Sequence, residues 1–419
     1  MRALHHDAVT TLAVTGTNGK TTTTSMLASV AAATGETPLC VTTVGARLGE
    51  RPLPYDGSME SFIAVVEQSV AEGARTVCLE ATSRALASGF ARRWPPDVAV
   101  FTNLTRDHLD RHGTPEAYLA AKAALFIALP EGGTAVLNAA DPASALLAEV
   151  VPGAAGVMAY AAGPPHHDCR HLPLALTATS VSPSREGTAV ELADSALARA
   201  LGGALRLRAL GSFQGDNALA AGLAAHAAGV PAQAIRRGLE AFPGVEGRFE
   251  PVCIRPLVVV DYAHTPAALE ATLATARRLV APDGGRVTVV FGCGGDRDQG
   301  KRATMGACAD ASADRVLLTT DNPRTEPAER IARMVAEGSR GRATWTELRD
   351  RAEAIARAIA EARPQDAVVV AGKGHERVQV VENEERPFDD FAVAAEACGR
   401  RGLPIRRRVG GALEPGGGG

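Results

Sequence analysis

The chain has 419 residues, of which 46% are hydrophobic and 22% charged, as in an ordinary soluble globular enzyme. A formal net charge of −3 and an aromatic content of 4% argue against a nucleic-acid-binding surface. No apolar run reaches the ~20 residues that a membrane helix needs, and the first ten residues lack a signal peptide's apolar stretch. Seven dispersed cysteines, none spaced C-x-x-C, are typical of a cytoplasmic protein with reduced thiols.

The first predicted strand, "TLAVTG", runs into the glycine turn and helix of "TNGKTTT". Gly16 and Gly19 would let the main chain approach a phosphate, Lys20 would neutralise it, and Thr21 would offer a hydroxyl to Mg²⁺. Val14 stands where the general phosphate loop has its first glycine. The pattern predicts nucleotide binding and leaves the reaction open.

Further strand-like runs alternate with Ala-rich helical stretches: "PLCVTTVG", "TVCLEAT", "DVAVFTN" and "TAVLN". This alternation predicts a mostly parallel sheet with helices on both faces. Glu80 would lie at the carboxyl end of a strand, where open α/β sheets bind their ligands. His108 in "TRDHLDRHG", and Lys122 on a helix that starts near Thr114, could join it at a metal–phosphate site. Taken alone, His108 could equally cap or pack, and Lys122 could lie on the surface.

From about residue 153 to 210 the strand–helix alternation gives way to short segments in which apolar and polar residues alternate. This pattern predicts a small antiparallel excursion. After a helix in "GDNALAAGLAAHAAG", the stretch "AFPGVEGRFEP" indicates a domain linker. A second α/β series follows in "LVVVDYAHTP", "RVTVVFGCGG", "RVLLTTDNPR" and "AVVVAGKGHE". We therefore predict an α/β protein with a central phosphate-loop domain (1–243), a C-terminal Rossmann-like domain (244–405) and a disordered tail (406–419).

Seven motifs occur in order: "GTNGKTTT", "TNLTRDHLDRHGT", "GRFE", "VVDYAHTP", "FGCGGDRD", "DNPRTE" and "AGKGHE". Together they resemble the Mur ligases, most closely the MurE type, which adds the third amino acid to the peptidoglycan precursor. The resemblance covers roughly residues 10 to 400. It implies an ATP-dependent ligase that phosphorylates a carboxylate and lets an amine attack the acyl phosphate.

The resemblance also implies which residues bind nucleotide and metal. Two Mg²⁺ ions are expected, with Thr21 and Glu80 holding the first and His108 the second. Lys122 matches the family's carbamylated lysine, whose CO₂-derived carbamate would be a further ligand, and we expect it to be at least partly buried. The implied nucleotide contacts are Gly16, Thr17, Asn18, Gly19, Lys20, Thr21, Thr22, Asn217, Arg248, Asp261, Tyr262 and His264.

On the amine side, the matching positions bind meso-diaminopimelate in MurE-type enzymes. They are Arg302, Asp321, Asn322, Arg324, Gly372 and Glu376. Arginine clamps a carboxylate and acidic groups take an ammonium, which suits the head of a diamino dicarboxylic acid or a related amino acid.

Two departures from the MurE pattern concern the other substrate, the acid. MurE-type enzymes carry a separate N-terminal domain for the uridine nucleotide, whereas only ten residues precede the first strand here. The family's "SSHAL" segment, which contacts the muramoyl peptide, reads "TSRALASGFARR": Arg84 follows Ser83 where His is usual, and Phe90 stands where an arginine is expected. Another segment that contacts the muramoyl peptide in the family is replaced here by "GSMESF" around Ser58. We therefore expect an acceptor acid that carries no uridine nucleotide. Arg84 could clamp the carboxylate of that acid, or it could simply be a surface residue.

Three functions stay open. The first is a ligase of a specialised biosynthetic pathway that joins an amino acid to an unidentified small or carrier-bound acid. The second is a peptidoglycan tripeptide synthetase without its first domain, and the third a non-catalytic ATP-binding subunit of a complex. In each, the expected partners are small molecules, with no nucleic acid and no membrane, and the oligomeric state is not predicted.

Overall fold

The computed structural model describes residues 8–105, 112–382 and 384–408. The chain forms two compact units, the first comprising Met1–Ser182 with Gly187–Pro243, the second Pro183–Glu186 with Gly244–Gly419. Among the described residues, no helix is long and apolar enough to cross a membrane.

The first unit is built on one eleven-stranded sheet in the order β11-β10-β9-β8-β7-β6-β1-β5-β2-β3-β4. Its strands are β1 Thr10–Thr15, β2 Leu39–Thr42, β3 Gly45–Leu48, β4 Arg51–Leu53, β5 Thr76–Glu80, β6 Val98–Phe101, β7 Thr134–Asn138, β8 Gly156–Ala161, β9 Leu174–Pro183, β10 Thr188–Leu192 and β11 Ala204–Leu207. In the order of the sheet, every neighbouring pair in the series β9-β8-β7-β6-β1-β5-β2 is parallel. This confirms the predicted mostly parallel α/β sheet.

The predicted antiparallel excursion is present as β10 and β11, and the opposite edge of the sheet, at β3 and β4, is antiparallel too. The "PLCVTTVG" run is not a single strand, because β2 turns at Thr43–Val44 into antiparallel β3 and β4. In the stretch from 153 to 210, β8 and β9 still pair in parallel, and β10 with β11 is antiparallel. Most residues of β9 are partly or fully exposed, and such exposure does not depend on the direction of the neighbouring strand.

Helices cover both faces of the first-unit sheet. They are α1 Lys20–Ala32, α2 Met59–Ala71, α3 Ser83–Ala87, α4 Phe90–Arg93, α5 Pro115–Ile127, α6 Ala143–Glu149, α7 Ala196–Ala200, α8 Phe213–Ala227 and α9 Ala232–Ala241. α5 begins where the sequence predicts, since the Thr114 hydroxyl accepts the N–H of Ala117 and Pro115 takes the first turn. α9 approaches α1 so closely that a Cβ on Gly238 would lie 2.3 Å from the Val30 Cα.

The second unit holds a six-stranded sheet in the order β12-β13-β17-β14-β15-β16 and a separate β18-β19 hairpin. The strands are β12 Glu250–Ile254, β13 Leu257–Asp261, β14 Val287–Phe291, β15 Arg315–Leu318, β16 Thr344–Glu347, β17 Ala367–Ala371, β18 Val378–Val381 and β19 Glu384–Pro387. The helices are α10 Pro266–Val280, α11 Arg302–Ser312, α12 Ala328–Ala336, α13 Arg351–Glu361 and α14 Asp390–Arg400. Within the six-stranded sheet of the described residues, β12 is the one antiparallel strand, and the β18-β19 hairpin is antiparallel as well. The continuous apolar runs of β13 and β17 are buried on both faces, as in a parallel sheet.

Arg185 is a buried cation of the second unit. Its guanidinium donates to the carbonyl oxygens of Leu279, Ile254, Pro364 and Gln365 at 3.3, 3.2, 3.2 and 2.6 Å. The side chain is only 5% exposed, so these four oxygens depend on it for their hydrogen bonds.

The sequence predicts that the basic stretch at 406–408 belongs to the disordered tail, whereas the structure shows it hydrogen-bonded to the second unit. The Arg406 N–H donates to Val252 O at 2.8 Å, and Arg408 bonds Glu246 and Asp389 at 2.8 and 2.5 Å. Residues 409–419 lie outside the described part of the chain.

Candidate functional site

The glycine turn between β1 and α1 is braced by the residues that follow β6. The Asn103 carbonyl and side chain accept the N–H groups of Thr17 and Asn18, at 2.8 and 2.9 Å. Thr102 Oγ1 donates to Asn18 O at 2.6 Å, and a Cβ on Gly16 would lie 1.9 Å from that hydroxyl. Glycine is therefore required at 16. Sequence reasoning missed Thr102 and Asn103, whose only signal is that they are polar residues at a strand end.

The end of α1 that faces this turn is equally crowded. Gly19 has a φ of +82°, and a Cβ there would lie 2.4 Å from Asn217 Oδ1. Asn217 also accepts the Thr23 hydroxyl at 3.2 Å, so it supports the helix start from α8. Lys20 Nζ donates to Thr17 O at 2.8 Å, within the loop itself, while Thr22 is buried.

Glu80, at the end of β5, gathers three hydrogen bonds on one oxygen. Its Oε2 accepts the Thr21 hydroxyl at 2.9 Å and the N–H and hydroxyl of Thr43 at 3.0 and 3.1 Å. Oε1 has no partner among the described residues. Sequence reasoning missed Thr43, whose only signal was the paired threonines of "TTVG" at the end of β2.

Lys122, on α5, is completely buried and lies beside the glycine turn. Its Nζ donates to Gly16 O at 2.6 Å and sits 4.1 Å from the centre of the Tyr118 ring. The structure thus brings the phosphate loop, Glu80 and Lys122 to one edge of the first-unit sheet. His108, the other expected metal ligand, lies outside the described residues.

The segment after β5 shows what replaces the usual acceptor contacts. Ser83 begins α3 and is 7% exposed, with its hydroxyl 3.0 Å from His112 Nε2. Arg84 is exposed and has no side-chain partner among the described residues. Phe90 packs edge-on against Phe62, with ring centres 5.1 Å apart, so this position serves the apolar core. Ser58 caps α2 by accepting the N–H of Ser61.

In the second unit, Asp261 ends β13 with both carboxylate oxygens already engaged. Oδ2 accepts the Phe249 N–H at 2.6 Å, and Oδ1 accepts the Ala263 N–H and the Thr272 hydroxyl at 2.9 and 3.0 Å. Burial raises the pKa of Asp261, and Arg248 partly offsets this. In this arrangement Asp261 holds the "GRFE" loop, where Phe249 adopts a strained φ of +47°.

A cation and aromatic rings gather next to that loop. The Arg248 guanidinium carbon lies 4.6 Å from the centre of the Tyr262 ring, and Arg248 Nε is buried without a partner among the described residues. Tyr262 also contacts the rings of His264 and His375, at 4.5 and 5.1 Å between centres. These flat and cationic groups could take a planar or anionic part of a ligand.

The amine-side residues meet at the ends of β15 and β17. Asn322 Nδ2 donates to Glu376 Oε2 at 2.9 Å, and Arg324 NH1 donates to Gly295 O at 2.7 Å. Gly372 is needed for close approach, because a Cβ there would lie 2.5 Å from Asp321 Oδ2. Arg324 has a φ of +53°, a conformation that costs a non-glycine residue ~1–2 kcal/mol.

Arg302 does not join this group in the structure. Its guanidinium is 0% exposed and pairs with both oxygens of Glu326, at 2.9 and 2.8 Å. The hydrogen bonds from Arg302 hold the pKa of Glu326 at about 2. The expectation that Arg302 contacts the substrate is therefore replaced by a structural pairing inside the second unit.

Comparison with known proteins decides the family. Residues 14–225 match the Mur ligase middle domain and residues 247–374 the Mur ligase, glutamate ligase domain. The chain belongs to the Mur ligase family. It is therefore an ATP-dependent ligase that forms C–N bonds, and Mur ligases use ATP and Mg²⁺.

Several relatives of this Mur ligase carry the same name, UDP-N-acetylmuramoyl-L-alanyl-D-glutamate–2,6-diaminopimelate ligase. The protein of Halalkalibacterium halodurans is 40% identical over 93% of this chain and 78% of its own length. That of Ralstonia nicotianae is 38% identical over 95% and 77%. A solved structure of such a ligase is 33% identical, with a TM-score of 0.68 over 94% of this chain and 79% of its own. Escherichia coli FolC, in complex with DHPP and ADP, shares the fold at 23% identity and a TM-score of 0.65, over 96% and 92%.

Proposed function

We propose that this Mur ligase joins an amino acid of the diaminopimelate type to a carboxylic acid other than a uridine-linked muramoyl peptide. The observation that carries the proposal is the altered segment after β5. There Phe90 packs into the core where the family has an arginine, and the exposed Arg84 has no partner among the described residues. An ATP site at the phosphate loop is supported by the hydrogen bonds that join Thr21 to Glu80 and Thr102 to the loop.

The chemistry needs two displacements. A carboxylate oxygen of the acid attacks the γ-phosphorus of ATP, and ADP leaves. The amine then attacks the acyl carbon, the amide bond forms, and phosphate departs with the oxygen that came from the acid. Lys20 compensates the negative charge of the γ-phosphate during the first displacement.

The residues present fit Mg²⁺, which prefers oxygen ligands. Thr21 and Glu80 offer a hydroxyl and a carboxylate oxygen 2.9 Å apart, with Glu80 Oε1 unpaired among the described residues. We assign them the first ion and, from the family resemblance, His108 and Lys122 the second. Mg²⁺ would neutralise the phosphate oxygens that the carboxylate must approach.

We also propose that Lys122 carries a carbamate. Its complete burial beside Gly16 O disfavours the charged ammonium form there, and reaction of the neutral amine with CO₂ would give an anionic oxygen ligand. Labelled bicarbonate should give a carbamate carbon signal in the nuclear magnetic resonance spectrum of the enzyme. The signal should be absent from Lys122→Met, and its absence from the unaltered enzyme would remove the proposal.

On the amine side, Arg324 and Glu376 offer opposite charges to a zwitterion. Among the described residues, Arg324 contacts backbone oxygens through NH1 alone, which leaves Nε and NH2 for a carboxylate. Glu376 takes both of its side-chain contacts on Oε2, which leaves Oε1 for an ammonium group. Within the second unit, we propose that Arg248, Tyr262 and His264 contact nucleotide, since a cation and aromatic rings gather there.

The acceptor proposal is tested with a panel of acids assayed for ADP release in the presence of diaminopimelate. With the best acid, Arg84→Ala should raise the KM for that acid at least tenfold, because the carboxylate loses its clamp. Arg92→Ala, an exposed arginine of the same segment, is the control and should leave the KM unchanged. Equal KM values for Arg84→Ala and the parent enzyme would show that Arg84 does not bind the carboxylate of the acid.

A second candidate, peptidoglycan tripeptide synthesis, is favoured by the names of relatives at 38–40% identity. Incubation with the uridine-linked muramoyl dipeptide, diaminopimelate and ATP separates the two. Tripeptide formation faster than with every acid of the panel would favour this second candidate. ATP hydrolysis indifferent to acid and amine would instead indicate a binding subunit.

A further inference from the structure

We propose that Lys373 is a positioning residue for the amine substrate, holding Asn322 and Glu376 in the orientation that receives the incoming amino acid. The proposal rests on the proposed function of this site as the amino-acid site. It concerns a residue that does not itself touch the substrate and acts through its two neighbours.

The geometry centres on one buried ammonium group. Lys373 is 0% exposed, and its Nζ donates to Asn322 Oδ1 at 2.9 Å, Glu376 Oε2 at 3.3 Å and Val378 O at 2.6 Å. Three acceptors match the three N–H groups of an ammonium. The lysine therefore has no hydrogen left for a ligand.

These bonds fix the amide of Asn322. Because Oδ1 accepts from Lys373 and from the Val380 N–H at 3.0 Å, Nδ2 must be the atom that faces Glu376, where it donates to Oε2 at 2.9 Å. Both contacts of Glu376 thus fall on Oε2. Without the ammonium, the amide could turn over and Glu376 would lose the cation that offsets its charge.

The choice of lysine over arginine is itself informative. The chain has four lysines and forty arginines, so arginine fills nearly every basic position. Two of the lysines, Lys20 and Lys122, belong to the phosphate site described above, and Lys373 is one of the remaining two. Of these two, Lys373 is completely buried and Lys301 is not, so burial marks Lys373 as the lysine with a specific place in the second unit.

Two other buried cations of the second unit, Arg302 and Arg351, differ from Lys373 in geometry, whereas Arg185 spreads its larger guanidinium over four carbonyl oxygens. Arg302 and Arg351 each meet both oxygens of one carboxylate, Glu326 and Asp390, which is the geometry a planar guanidinium matches. Lys373 instead serves three separate oxygens from three residues, which suits a compact, tetrahedral ammonium. Arginine at 373 would bring a larger, planar group into a position with no exposed surface.

The test compares Lys373→Met and Lys373→Arg with Arg357→Met, an exposed helix arginine of the same unit, as the control. Both Lys373 variants should raise the KM for the amino acid at least tenfold and leave the KM for ATP within twofold. The control should match the parent enzyme in both. An unchanged amino-acid KM in Lys373→Met, or full activity of Lys373→Arg, would overturn the proposal.

A second measurement separates this proposal from the proposed function. Acid-dependent isotope exchange within ATP, measured without any amine, reports acyl phosphate formation alone. It should run at the parent rate in Lys373→Met, and its absence from the parent enzyme would count against the proposed function instead. If circular dichroism shows that Lys373→Met does not fold, Asn322→Leu removes the group through which the lysine acts. That variant should raise the same KM, and an unchanged value would overturn the positioning role.

Discussion

The Thr21 hydroxyl and Glu80 Oε2 lie 2.9 Å apart and join the start of α1 to the end of β5. A strand-end carboxylate thereby stands next to the phosphate loop, with its second oxygen unpaired among the described residues. We infer that this pair holds the first Mg²⁺ ion. The proposed ligase reaction depends on that charge compensation.

Glu80→Gln tests the pair. The amide keeps the shape of the side chain and removes the negative charge, so kcat should fall about 100-fold or more, by comparison with removal of other electrostatic groups. Steady-state ADP release at varied Mg²⁺ is the measurement. Glu60→Gln, an exposed acid in the first turn of α2, should behave like the parent. A Glu80→Gln enzyme with parental activity at low Mg²⁺ would exclude the role.

Gly16→Ala tests the shape of the loop. Its Cβ would lie 1.9 Å from Thr102 Oγ1, so the loop must move away from the turn that braces it. We expect at least a tenfold loss of affinity for ATP, measured by calorimetry. Gly153→Ala is the matched control, since a Cβ there meets nothing within 4 Å. Equal affinities for the two variants would show that the close approach does not matter.

Much of this arrangement could be predicted from the sequence, because it follows from local patterns. Apolar runs that end in a glycine turn or a carboxylate place the phosphate loop and Glu80 at one sheet edge. What could not be predicted depends on which side chains meet across elements. Thr43 reaches Glu80 only because β2 turns into β3, and Arg302 pairs with Glu326, a residue 24 positions away. Neither contact has a periodic signature.

Asp216 gives the chain a pH-dependent stability. Burial raises the pKa of Asp216 to about 6 from an ordinary 3.8. The folded state then binds the proton more tightly, so the free energy of unfolding falls as pH rises from 3.8 to 6 and levels off above. Asp216→Asn should be more stable than the parent by on the order of 2 kcal/mol at pH 7.5 and nearly equal to it at pH 4. Denaturant unfolding at both pH values measures this, and an equal gain at both would contradict the assignment.

Arg185→Ala tests the buried cation of the second unit. The variant leaves the carbonyl oxygens of Leu279, Ile254, Pro364 and Gln365 without their donor, which should lower the stability of that unit by roughly 3 kcal/mol. Arg199→Ala removes an exposed ion pair with Asp194 and should change stability by less than about 1 kcal/mol. Denaturant unfolding measures the free energy of unfolding of both variants. Similar losses in the two would show that the carbonyl contacts contribute little.

The central claim, that ATP activates an acid as an acyl phosphate, has one direct measurement. The acid that best supports ADP release is labelled in its carboxylate with a heavy oxygen isotope and incubated with ATP, Mg²⁺ and the amino acid. The account predicts that each released phosphate carries one labelled oxygen, because the acid's oxygen leaves with the phosphoryl group. Unlabelled phosphate, formed alongside the amide product, would contradict it.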